Sequence, residues 1–171
     1  PCVVPWQQDL GGSCGKNGGP VKRGVQRTKV CFAHTGQLGH QRYIDFVGDD
    51  VHPNELHRTI LKIAKEMDLF VDTVPIDRFI PLPDGHEDRS IHIGQFENLE
   101  IYVIDPYSIA LSKVDRGSFT DYDDILFLIQ SGYVNIEKLD EILQKAISKA
   151  GKYDLHPEIL LHLEELKSRL K

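Results

Sequence analysis

From Asp105-Pro106 onward the apolar period of this sequence is helical throughout, and that change limits the folds open to the chain. Before it, short runs rich in β-branched and aromatic residues alternate with turn clusters; after it, apolar residues recur every three or four positions. Strand-type runs followed by helix-type runs predict the α+β class. Residues 41–47 (QRYIDFV) read as a strand closed by the turn cluster Gly48-Asp49-Asp50. Asn54 is placed to cap a helix whose Leu56, Ile60, Ile63, Ala64 and Met67 form one apolar face. Residues 69–74 form a second strand, and 76–82 continue extended up to the prolines at 81 and 83. Residues 90–95 and 99–104 then read as antiparallel neighbours.

Beyond the switch, Asp105 caps a helix with Pro106 in its first turn, running to about Asp115. Thr120 and Asp123 resemble a capping box for a helix ending at Gly132. Asn135 caps a third, with Leu139 and Leu143 inward, and Pro157 opens the last, whose stripe is Ile159, Leu160, Leu163, Leu166 and Leu170. The expected architecture is a small mixed sheet of about four to five strands with one crossing helix, followed by a C-terminal helical part of about four helices.

Composition adds a seam near position 40. Residues 1–40 carry net charge +4, all three cysteines, the only Trp and eight of the 14 glycines, but no Ile and no Glu. The remainder carries −10. With neither apolar period in the first part, the expectation is an irregular segment over 1–40 and a folded domain over 41–171. Gly11–Gly19 is rich in glycine but lacks the first Gly and the Ser/Thr of a phosphate loop. Cys14, Cys31, His34 and His40 do not form the two tight ligand pairs of a closed zinc site, and His52, His57, His86 and His92 share no metal spacing. No run approaches the roughly 18 apolar residues of a membrane span, so a cytoplasmic protein without a membrane partner is expected. The acidic balance argues against coating duplex DNA.

Two carboxylates interrupt otherwise apolar strands: Asp45 in Ile44-Asp45-Phe46-Val47 and Asp72 in Phe70-Val71-Asp72-Thr73. Such a group is costly there unless it is paired, solvated or coordinated. If the two strands pair, both acids can lie on one sheet face within reach of one metal ion; taken alone, a structural pair or an exposed edge is the commoner explanation. Lys113 and Arg116 lie one helical turn apart, with Asp121 and Asp124 following, and taken alone they read as a solvated charged patch.

Together, the strand carboxylate of residues 44–50, Asp72, and the run Lys113-x-x-Arg116 with Asp121-x-x-Asp124 resemble the minimal nucleotidyltransferases. These are bacterial members of the DNA polymerase beta-like superfamily that include an abortive-infection toxin branch. The resemblance covers roughly residues 41–150. It implies transfer of a nucleoside monophosphate from a nucleoside triphosphate to a hydroxyl of RNA, protein or a small molecule, with Mg2+ as cofactor and an antitoxin-type protein as possible partner. It also implies that Asp45 and Asp72 are catalytic metal ligands, with Glu100 a weaker alternative as the third carboxylate. Lys113 and Arg116 would face the nucleotide phosphates, and Asp121 and Asp124 would support them. The first Asp of the family's Asp-x-Asp falls on Tyr43, and the expected Gly-Gly turn before it is absent; Gly11-Gly12-Ser13 lies more than thirty residues upstream of Asp45. Impaired activity is the expectation, either through a disrupted reading frame upstream of residue 41 or through degeneration to a non-catalytic interaction or regulatory module.

Overall fold

The computed structural model describes residues 28–38, 41–47, 54–97 and 99–170. Over these the chain is α+β, as its change of period predicts. The strands are β1 (Thr28–Leu38), β2 (Gln41–Val47), β3 (Leu69–Val74), β4 (Ile91–Phe96) and β5 (Leu99–Val103). They are hydrogen-bonded in the order β3-β2-β1-β5-β4. The β2–β3 and β1–β5 pairs are parallel; the β1–β2 and β4–β5 pairs are antiparallel.

β1 lies inside the segment expected to be irregular, which corrects the boundary at residue 40. Its backbone pairs with β2 on one side and β5 on the other. A centre strand satisfies its amides and carbonyls from both flanks, partners distant in sequence that a local pattern of side chains does not reveal. The glycine run 11–19, Cys2 and Cys14 lie outside the described residues.

Helix α1 (Glu55–Glu66) is the crossover between the parallel strands β2 and β3. Asn54 caps it, Oδ1 accepting the His57 amide at 2.9 Å. Its buried residues are His57 and Ala64, whereas Ile63 and Met67, expected inward, are exposed. The His57 ring meets Phe46 edge-on, centroids 5.1 Å apart, and its Nε2 lies 2.8 Å from the Thr73 hydroxyl. Thus the α1 side of the sheet is held by a satisfied histidine.

The chain after β3 does not continue extended as expected. It forms the short helix α2 (Ile76–Phe79), because Ile76 and Ile80, four apart, both enter the core. A second short helix, α3 (His86–Arg89), precedes β4. Four helices follow β5: α4 (Pro106–Arg116), α5 (Phe119–Gln130), α6 (Ile136–Ser148) and α7 (Ile159–Arg169).

The core lies among these helices. Ala110, Leu111, Val114, Ile125, Leu139, Leu143, Leu163 and Leu166 are essentially solvent-free, and Val47 and Val74 of the sheet pack against them. Each such leucine contributes about 1.5–3 kcal/mol relative to exposure. Leu160 and Leu170, expected in the α7 stripe, are exposed instead. Asp105 seats α4 against the sheet side: fully buried, it accepts the Tyr107 and Ser108 amides and a bidentate pair from Arg89, both bonds 2.9 Å.

Candidate functional site

In the β2–β3 register Asp45 is the direct partner of Asp72. Directly paired residues of neighbouring strands project to the same face. Val47 and Val74, two positions further along each strand and again partners, pack on the helical core, so the acids share the face that meets the helices. Asp72 is exposed, and its Oδ1 accepts the Thr73 amide at 2.9 Å.

Lys113 and Arg116 stand in the last turn of α4. Gly117 ends that helix in the left-handed conformation (φ 63°), its amide donating to the Lys113 carbonyl. Ser118 immediately caps α5, its Oγ accepting the Asp121 amide at 3.2 Å. The expected box at Thr120 and Asp123 is therefore displaced two residues upstream to Ser118 and Asp121. A link this short folds the last turn of α4 onto the first turn of α5. Cations then sit at a helix C-terminus and acids at a helix N-terminus, each favoured by the local dipole.

The resulting quartet is tightly bonded. Arg116 donates Nη2 to Asp121 Oδ1 at 2.6 Å and Nε to Oδ2 at 3.2 Å, while the Ser118 hydroxyl donates to Oδ2 at 2.6 Å. Lys113 Nζ reaches Asp121 at 3.3 Å and Asp124 at 2.5 Å. Lys113 and Asp121 are buried, whereas the Arg116 side chain is 58% exposed. Burial pushes the Asp121 carboxyl up, but the bonds from Arg116 and Ser118 and the charges of Arg116 and Lys113 outweigh it and hold the group at about 2. The Arg116 guanidinium is held above its usual value, first by its bonds to Asp121 against the cost of burial, and further by the fields of Asp121, Asp45 and Asp124. That field of Asp45 links the α4–α5 corner to the carboxylate pair on the sheet.

Glu100 does not join them. It is the register partner of Lys29 on β1, whereas Asp45 is the partner of His34, five residues away along the same strand. That separation is about 16 Å along β1. Its Oε2 accepts the Tyr102 hydroxyl at 3.1 Å instead. The Arg89–Asp105 pair, which sequence reading did not single out, is a brace for α4; Asp105 was legible as a cap, but Arg89 reaches it from sixteen residues away.

The donor chemistry suits a hard divalent cation. Two carboxylates on paired strands offer oxygen ligands, and the six side chains, two cations and four acids, sum to −2. Tyr43, where the resemblance leads one to expect the first Asp of an Asp-x-Asp pair, is the register partner of Phe70. Among the described residues no helix is long and apolar enough to cross a membrane.

No curated protein and no solved structure matches the chain. One family model does, over residues 44–170, about three-quarters of the sequence and starting immediately after Tyr43. The chain belongs to that family, described as "Nucleotidyltransferase of unknown function (DUF6036)".

Proposed function

We propose that the scaffold binds a nucleoside triphosphate with Mg2+ at Asp45 and Asp72 and transfers the nucleoside monophosphate to a hydroxyl acceptor, with activity diminished by Tyr43. The observation that carries this reading is the direct pairing of Asp45 with Asp72 on the face where Arg116 feels the Asp45 charge. In the transfer, the acceptor oxygen bonds to the α-phosphorus as the bond to the pyrophosphate oxygen breaks. Pyrophosphate leaves and the hydroxyl proton passes to a carboxylate. Asp45 and Asp72 would hold the ion, which when bound neutralises phosphate charge and lowers the pKa of the attacking hydroxyl.

The chain's own contribution is positional. Arg116, exposed and fixed by two bonds to Asp121, presents a rigid guanidinium to phosphate oxygens. Lys113 is buried between Asp121 and Asp124, so its role is to hold the α4–α5 corner and, through it, Arg116. This refines the expectation that both basic residues face phosphates.

A second reading, a non-catalytic interaction or regulatory module in the manner of a neutralised toxin, is favoured by one feature. Tyr43 occupies the place where the family motif has its first Asp. Incubation with labelled ATP, GTP, CTP or UTP, Mg2+ and candidate RNA or protein acceptors separates the two: Mg2+-dependent labelling abolished by Asp45→Asn supports transfer. Nucleotide binding without labelling, in both the natural chain and Tyr43→Asp, supports the module.

A further inference from the structure

His156, Glu158 and His162 form a cluster that the proposed nucleotide site does not use. Their ligand atoms, one from each side chain, all lie within 4.8 Å of one another. Glu158 is the cap residue of α7 and His162 stands one turn on, so their side chains share a helix face; His156 folds back from the preceding segment. The two imidazoles lie 4.7 Å apart, centroid to centroid.

Hydrogen bonding prepares His162 as a ligand. Its Nδ1 lies 2.9 Å from the Val114 carbonyl, which can only accept, so Nδ1 carries the proton and Nε2 keeps its lone pair. Donation of the other ring N–H to a backbone carbonyl is the arrangement that fixes the tautomer and orientation of metal-bound histidines. The ring is also set by close approach: a Cβ on Gly117 would meet it at 2.4 Å. His156 Nδ1 accepts the Glu158 amide at 3.1 Å, so coordination through that nitrogen exchanges this exposed bond for one to the ion.

From this geometry we infer that His156, Glu158 and His162 form a site for a transition-metal ion of the Zn2+ class. Two imidazoles and one carboxylate suit that class, with water completing a tetrahedron. Ligand atoms around such an ion sit about 3.4 Å apart at bond lengths near 2.0–2.1 Å. Rotation of the exposed His156 and Glu158 side chains closes the remaining gap. The site bridges the start of α7 to the end of α4, because His162 is bonded to Val114 and the His156 amide donates to Asp115 Oδ1 at 2.8 Å. A bound ion therefore clamps α7 to the corner that carries Arg116.

The test is calorimetric titration of the chelator-stripped full chain with ZnCl2, and with CoCl2 followed by visible d–d absorption. Expected are about one ion per chain, a tetrahedral Co2+ spectrum and a raised Tm. His156→Ala and Glu158→Gln, both at exposed positions, should each weaken binding roughly tenfold or more while leaving the metal-free Tm within a few degrees. No binding to the natural chain, or equal affinity in the double variant, overturns the site; the latter result places the ion on other His or Cys residues. The readout uses neither nucleotide nor Mg2+, so its failure is separate from failure of the transferase reading.

Discussion

Asp45 and Asp72 are direct register partners on parallel strands, which places two acids side by side on the sheet face that meets the helices. Like charges so placed repel, and a divalent cation relieves the repulsion. The natural chain should gain Tm when Mg2+ is added, and Asp45→Asn and Asp72→Asn should each remove that gain. Thermal melts with and without Mg2+ check this.

Arg116 and Lys113 should separate in mutation. Lys113→Ala leaves the buried Asp121 to Arg116 and Ser118 and takes the cation from the half-exposed Asp124, so it should destabilise by about 1–3 kcal/mol, read by urea denaturation. Arg116→Lys keeps a cation but loses the bidentate grip on Asp121, so it should lower nucleotide affinity more than it lowers stability.

Asp121 gives a pH signature. Its folded-state carboxyl is held at about 2, below the ordinary value of 3.8. The stability it contributes, on the order of 2 kcal/mol, is therefore present above about pH 4 and is lost as pH falls through 4 toward 2. Asp121→Asn should be less stable than the natural chain at pH 6, and the difference should shrink steadily between pH 4 and pH 2. Urea midpoints across that range test it; a constant difference contradicts the ion-pair account.

Gly117 is required twice, for its positive φ and for the 2.4 Å approach to His162. Gly117→Ala should cost about 1–3 kcal/mol. In the His162→Ala background the same substitution should cost less, because only the backbone part remains. A double-mutant cycle measures the coupling.

What the sequence made legible was whatever is local. Asn54, Asp105 and Asn135 cap the helices expected of them, because a cap depends on residues within one turn. The two short runs on either side of one helix were legible as strands, but their pairing was left as a condition that the structure meets. The misses depend on distant partners. β1 is a strand because β2 and β5 flank it, and Arg89 meets Asp105 because the antiparallel β4–β5 pair returns the chain beside it. Ile76–Phe79 coil into a helix because the core accepts Ile76 and Ile80 together. At the candidate site the residue types of Lys113, Arg116, Asp121 and Asp124 were readable. Which cation is buried and which is exposed depended on the two-residue corner at Gly117-Ser118.

The most direct measurement is calorimetric titration of the natural chain and of Asp45→Asn/Asp72→Asn with each nucleoside triphosphate, with and without Mg2+. The account predicts Mg2+-dependent binding of at least one triphosphate that the double variant loses by tenfold or more. Binding that is indifferent to Mg2+ and to both substitutions, or no binding under any condition, would contradict it.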